Sequence, residues 1–390
     1  MSVAIKLKPV IKNYAWGNDY FIANLLAIDC NGPMAELWIG THKQGCSTVL
    51  ETGQPLSEIL DSDLAFCGFS SSNFPILLKV LSIGQSVSIQ CHPDSEQAKL
   101  GYLAEAEKRK TLDRSLLNYA DSNQKAEMLY ALTPVTAMCG FRSFEEMTAL
   151  LKIAVPNLFA RYLAKFGSIA SLFDGLYRLD KDTIVAGQRE LLSRCECSFD
   201  KTFVSNDSAH TDCSVLAQDV RDIILDLGNR YFGDPGVFAP LLLNIVHLKP
   251  GQAIYLKPRV LHAYISGNGI ELMNNSDNVL RAGLTVKHVD LDELQNVMLK
   301  DSYFPRPMET VTDDEGTHFI CPGGFTLTVL SGAKFKSAQR GPRLFLCTEG
   351  QALIGDVSLS KGECCISGDV SGEFSVDACG GTVFLATANL

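Results

Sequence analysis

Ser88, Gln90 and His92 fall on every second position of the stretch Gly84 to Pro93, which reads G-Q-S-V-S-I-Q-C-H-P. In an extended chain, residues two apart share a face, so these three point one way while Val87, Ile89 and Cys91 point the other. The preceding run, Phe74 to Leu81, is almost wholly apolar and suits a strand buried on both sides. A polar trio beside such a strand lines a cavity more readily than it faces bulk water. An imidazole and an amide carbonyl on one face could ligate a divalent cation; the competing reading is a hydrogen-bonded core histidine. Lys125 and Glu127 also stand two apart, and in isolation they read as a solvated pair as easily as a site. Glu36 and His42, in A-E-L-W-I-G-T-H, read as a surface ion pair or as loop polar groups. Lys79, alone in its apolar strand, either meets a substrate anion or pairs with a buried carboxylate.

The elements that must carry these groups form three blocks. Residues 1 to 93 are short β segments punctuated by Gly and Asn. Asp94 caps a short helix, after which Met128 to Leu132 is strand-like. Residues 143 to 232 are largely helical: Ser143-Phe144-Glu145-Glu146 has the form of a capping box, and Leu158, Tyr162 and Phe166 recur at helical spacing. Ser198 to His210 is polar and expected to be a loop. From Phe238 the β pattern returns, with hairpin punctuation at Lys249-Pro250-Gly251 and Gly267-Asn268-Gly269. Residues 303 to 390 are regularly spaced strands of a jelly roll or sandwich; they show few clustered polar groups and are expected to be structural. The fold class is therefore mainly β with a helical insertion. Its expected units are a catalytic domain (1–142 with 236–300), a helical domain (143–235) and a C-terminal jelly-roll-like β domain (301–390).

The 390 residues carry a net charge of −10, which argues against nucleic acid or an anionic membrane as partner and requires a locally basic pocket for any anionic substrate. No apolar run approaches a membrane span, and the N-terminus lacks a signal-peptide core. Thirteen cysteines without regular spacing fit buried thiols in a reducing, cytoplasmic setting better than a disulfide framework. A monomer is expected.

Two spacings connect the β blocks. Gly84, five residues and then Gln90-Cys91-His92 resembles the first motif of the cupin barrel, with Gln in place of the usual first His. Gly251 precedes His262 by eleven residues, as in the second cupin motif. Two β units flanking a helical insertion could thus close one barrel and bring Gln90, His92 and His262 together, a carboxylate completing a divalent-ion site.

At this point the chain resembles a known family over nearly its whole length. N-Y-A-W-G at Asn13, A-E-L-W-I-G-T-H at Ala35, L-K-V-L-S at Leu78, S-I-Q-C-H-P-D at Ser88 and G-V-F-A-P-L-L-L-N at Gly236 are similar to the type I phosphomannose isomerases. So is the long segment from His262 through R-A-G-L-T. The resemblance implies one zinc ion (Zn2+) held by Gln90, His92, Glu127 and His262, and interconversion of mannose 6-phosphate with fructose 6-phosphate through an enediolate. It implies that Lys125, Asp277 and Arg281 surround the substrate, with Arg281 the catalytic arginine. Lys125, Asp277 and Glu271 are the candidate bases, and Ser88 with Lys79 or Lys125 the expected phosphate contacts. The sequence departs from the family where N-H-K-P-E reads N-Q-K-A-E, placing Gln124 and Ala126 for His and Pro. Asn274 stands for Ala, and Val286 for Pro. These changes leave open a catalytically weak sugar-phosphate-binding relative; a cupin oxygenase fits the Gln ligand poorly.

Overall fold

The computed structural model describes residues 4–197, 216–337, 341–368 and 374–389. The loop expected over Ser198 to His210 lies outside them.

The strand Ile76–Ile83 is buried at every residue, as its apolar run requires. It pairs antiparallel with Glu36–Ile39 on one side and with the thirteen-residue strand His262–Asn274 on the other. That long strand is the hub of the site. Along its length it also pairs with Val135–Phe141, with Glu127–Ala131 and, through His262, with Gln90 of the strand Ile89–Cys91. Residues more than 170 positions apart thereby become neighbours. These strands belong to one ten-stranded antiparallel sheet with free ends, from Leu243–Leu248 to Val10–Lys12. The cupin-like β architecture expected from the sequence is present, but the sheet curves without closing into a barrel.

A second ten-stranded sheet holds the C-terminal strands and also takes in Ala4–Lys8, which pairs with Cys364–Ser367. The two sheets share a core in which Ile76, Leu78 and Val80 meet Leu327, Leu344 and Ile366. Burying each such side chain stabilises the fold by roughly 1.5–3 kcal/mol. The helical block packs on the other side of the first sheet, through Met147, Leu151, Phe173 and Leu227 among others.

The helix signals read from sequence hold. Asp94 Oδ1 accepts from the Gln97 amide at 3.0 Å and starts Ser95–Ala104. Ser143 and Glu146 exchange reciprocal 3.1 Å bonds at the head of Phe144–Ala154. The spacing of Leu158, Tyr162 and Phe166 does not describe one α-helix, however. Residues Phe159–Leu163 form a π-turn, whose extra residue rotates Tyr162 outward and brings Leu163 to the buried face.

Candidate active site

Four side chains carried by the two ends of the curved hub strand and its partners meet in one place. Gln90 and His262 face each other across the ladder. Glu127 opens the neighbouring strand opposite Met273, and His92 follows Cys91 just beyond its strand. Glu127 Oε2 lies 3.4 Å from His92 Nε2 and 3.4 Å from His262 Nε2, and all three residues are buried. Gln90 lines the same cavity of about 80 Å3, its amide nitrogen 3.4 Å from Ser88 Oγ. Ser88, Gln90 and His92 thus share a side, as their alternation requires.

The tautomers follow from the far side of each ring. His92 Nδ1 is 2.7 Å from the Asn278 carbonyl, and His262 Nδ1 is 2.9 Å from the Val260 carbonyl. A carbonyl only accepts, so each Nδ1 carries a proton and each ring turns its Nε2 toward Glu127, where an unprotonated Nε2 presents a lone pair to the carboxylate. With both Nε2 atoms unprotonated, two lone pairs and a carboxylate oxygen converge with no proton among them, and His92 Nε2 has no hydrogen-bond partner. Such an arrangement is costly unless a cation occupies its centre. His92, Glu127 and His262 offer ligand atoms all within 4.8 Å of one another, and two imidazoles with oxygen donors suit zinc.

Burial, and then the Lys125 ammonium, push the His92 pKa down to about 4. In the unfolded chain the same imidazole has its ordinary value of 6.5. Between these values the unfolded state binds more protons, so the stability of metal-free protein falls as pH falls. The loss from this one group is about 3 kcal/mol. Urea unfolding of chelator-treated protein at pH 7 and pH 4 measures it; equal midpoints contradict the assignment. Glu127 acts in the same sense at lower pH. Burial pushes its pKa up, but Lys125, His92 and the contacts to both imidazoles hold it well below the carboxylate range.

A second layer of charge surrounds these residues. Lys125 Nζ bonds Glu127 Oε1 at 2.8 Å. Lys79 Nζ bonds Glu271 Oε2 at 2.9 Å, with Glu36 at 3.9 Å, and Tyr264 OH donates to Glu271 Oε1 at 3.0 Å. Lys79 thus pairs with buried carboxylates, which hold it charged despite burial. Lys79 alone would lower the Glu271 pKa; burial and the charge of Glu127 outweigh it, so that carboxyl sits above its ordinary range. Asp277 lies apart from this cluster. It accepts from His42 Nε2 at 3.0 Å, Gln44 Nε2 at 3.1 Å and Arg114 Nη2 at 3.2 Å. Burial pushes the Asp277 pKa up, but the bond and charge of His42, with the charges of Lys125 and Arg114, prevail and hold it low. Arg281, opposite Gln90 in the ladder, and nearby Lys287 are in no ion pair among the described residues. Glu36 and His42 are therefore part of the cavity wall and of the Asp277 cluster, not surface groups.

Residues 4–144 match the family description "Phosphomannose isomerase type I, catalytic domain". The chain is 31% identical over 368 residues to mannose-6-phosphate isomerase of Escherichia coli K12, the match covering 90% of each chain. It is 33% identical over 376 residues to that of Emericella nidulans, covering 86% of this chain and 76% of the other. The chain belongs to the type I phosphomannose isomerase family. The apo form of the Salmonella typhimurium mannose 6-phosphate isomerase superposes with a TM-score of 0.84 at 28% identity, covering 100% of both chains. A mannose 6-phosphate isomerase bound with zinc and yttrium matches equally well.

Two departures from the phosphomannose isomerase pattern form a single contact. The Ala126 amide, which a proline would lack, donates to Asn274 Oδ1 at 3.1 Å, and Asn274 Nδ2 donates to the Gly323 carbonyl at 3.1 Å. Asn274 for Ala thus satisfies the buried N–H that Ala for Pro creates, one residue before Glu127. Asn274→Ala is expected to cost about 1–3 kcal/mol by orphaning that donor. Adding Ala126→Pro should recover most of it, as thermal melts of the single and double variants would show; independent effects contradict the pairing. Val286 is fully exposed and its departure touches nothing. Gln124 is half-buried beside Lys125.

Sequence reasoning passed over three residues. Asn278 is wholly buried, and its side chain bonds Ala120, Asp121 and Asn123, fixing the carbonyl that orients His92. Its signal was present in the S-D-N segment of the family match. Tyr264 was legible only as the residue two beyond His262, and Lys287 carried no signal.

Proposed function

We propose that this chain interconverts mannose 6-phosphate and fructose 6-phosphate, with one zinc held by Gln90, His92, Glu127 and His262. The observation that carries the reading is the meeting of two imidazole Nε2 atoms and a carboxylate at a cavity lined by Lys79, Lys125 and Glu271. Zinc, when bound, supplies Lewis acidity that offsets negative charge developing on the substrate oxygens at C1 and C2.

The rest of the chemistry falls to the chain's own groups. Aldose and ketose differ by a proton moved between C2 and C1 and another between their oxygens, through an enediolate. Of the three candidate bases, Glu271 and Lys125 line the cavity, and Glu271 has a raised pKa, which suits a group that takes a proton and returns it. Lys79 and Tyr264 hold its two oxygens in place. Asp277, fastened by three donors, serves to position His42, Gln44 and Arg114. Lys125 neutralises Glu127 and leaves that carboxylate free of protons. Arg281 offers planar N–H donors to the enediolate oxygens. Ser88 supplies a hydroxyl and, with Lys79 and Lys125 committed to ion pairs, Arg281 and Lys287 form the positive patch that offsets the phosphate.

A coupled assay tests the function. Turnover of mannose 6-phosphate should vanish with a chelator and return with zinc; binding without turnover would contradict it. The net charge of −10 supports a small-molecule substrate over nucleic acid or an anionic membrane, and a cytoplasmic monomer completes the proposal. No helix among the described residues is long and apolar enough to cross a bilayer.

A further inference from the structure

Arg281 and Lys287, the positive patch assigned to the phosphate, stand at the two ends of one short segment, R-A-G-L-T-V-K. Partial burial, and after it the charge of Arg281, push the Lys287 pKa down, so the two cations are close enough to repel. Strand pairing does not hold them together. The strand Leu280–Gly283 stops short of Lys287, and its register with Ile89–Cys91 shifts just after Arg281. The backbone then turns through two unusual residues. Gly283 has φ 138°, and Leu284 has φ 54°, a left-handed conformation that leucine rarely adopts. A turn of this kind persists only where its surroundings fix it.

The fixing group comes from the connector Tyr231–Gly236, which follows the helix Gln218–Arg230. Asp234 spreads its carboxylate over two amides: Oδ1 accepts from Gly236 at 2.7 Å and Oδ2 from Thr285 at 3.3 Å. Gly283 lies so close that a Cβ there would sit 2.6 Å from Asp234 Oδ1, and the buried Leu284 side chain joins the core of the helical block. Thr285 passes the constraint on, its Oγ1 accepting from the Lys287 amide at 3.1 Å. The connector is itself tied to the helix Lys181–Cys197 through the wholly buried Gln188. Its Nε2 donates to the Asp234 carbonyl and its Oε1 accepts from the Gly233 amide, both at 2.6 Å. At the start of the connector, Tyr231 OH donates to the Ser86 carbonyl at 3.2 Å, two residues before Ser88. One connector thus touches both sides of the expected phosphate subsite, yet neither Asp234 nor Thr285 lines the metal cavity.

We propose that Asp234, braced by Gln188, is a positioning residue for the phosphate subsite: it pins the turn at Gly283 and Leu284 so that Arg281 and Lys287 face the same anion. This role presupposes the isomerase reading above and gives the helical block a part in substrate affinity. Charge alone has the opposite sign, since a carboxylate near a cationic patch weakens phosphate binding and its neutralisation would strengthen it.

Two measurements on the full zinc-loaded protein test the role: kinetics with mannose 6-phosphate, and the affinity for inorganic phosphate read from the amide shifts of Ser88, Arg281 and Lys287. In Asp234→Asn the remaining oxygen keeps the shorter Gly236 contact, and an NH2 group meets the Thr285 amide. KM and the phosphate Kd should both rise about tenfold, as loss of one bond to a charged group does, while kcat, zinc content and melting temperature stay near those of the parent. Thr285→Val should raise both constants about fivefold, and Thr285→Ser, which keeps the hydroxyl, should leave them at the parent values. Tighter phosphate binding in Asp234→Asn, constants unmoved by both Asp234→Asn and Thr285→Val, or a parent that binds no phosphate at these amides would overturn the proposal. A parent that binds phosphate without turning over mannose 6-phosphate would count against the isomerase reading, and the phosphate affinities of the variants would then decide the positioning role alone.

Discussion

His262→Ala is expected to leave a folded protein with neither bound zinc nor isomerase activity. The imidazole contributes one of two Nε2 lone pairs to the cluster, and without it the remaining protein donors are Gln90, His92 and Glu127. A Lewis acid supplies several kcal/mol of transition-state stabilisation, so the loss in kcat is at least about a thousandfold. Folding should survive. Among the described residues the ring's only other bond is to Val260, and its removal relieves the crowding of acceptors around Glu127. His247→Ala is the control: that imidazole is half-exposed and pairs with Asp219 on the surface, so its loss should leave zinc content and rate unchanged. Elemental analysis, circular dichroism and the coupled assay on both variants decide the matter. Full activity in His262→Ala would remove His262 from the site.

Arg281→Ala is expected to lower kcat about a hundredfold to a thousandfold while zinc content stays at that of the parent. Arg281 is paired by its backbone with Gln90, but its side chain makes no ion pair among the described residues. Removing it therefore breaks no ion pair or side-chain hydrogen bond among the described residues, and the cost falls on the substrate. Burial lowers its pKa, yet a guanidinium stays charged throughout the working pH range. Arg281→Lys should not restore the rate, because a compact ammonium cannot reproduce the planar fork of donors. A kcat within about threefold of the parent in Arg281→Ala would assign charge stabilisation elsewhere.

How much of this was legible beforehand follows from the range of each interaction. Ser88, Gln90 and His92 were readable as one face because strand periodicity is local. The helix starts at Asp94 and Ser143 were readable for the same reason. His262 became a candidate ligand through a cupin-like spacing and Glu127 only through the family resemblance, since no local rule brings residues 135 positions apart onto one strand pair. The register that sets Lys79 opposite Glu271 was likewise hidden, so Lys79 stood evenly between a phosphate contact and a buried ion pair. His42 resembled a loop group because its partner, Asp277, lies on a distant segment. Ala126 and Asn274 looked like two separate departures and turn out to be donor and acceptor of one bond. The π-turn at Phe159–Leu163 defeated a spacing argument that assumes 3.6 residues per turn. Barrel closure, inferred from two cupin-like spacings, is not needed to assemble the site; the curvature of the sheet along His262–Asn274 brings His262, at one end of that strand, to Glu127, paired near its other end.

X-ray absorption at the zinc edge of the purified protein tests the metal assignment most directly. One zinc per chain is expected, with four nitrogen or oxygen neighbours at about 2.0–2.2 Å, the outer-shell scattering of two imidazoles, and no sulfur. A sulfur shell at about 2.3 Å would mean that cysteines hold the metal, and together with a protein fully active without zinc it would contradict the convergence of Gln90, His92, Glu127 and His262 on a catalytic ion.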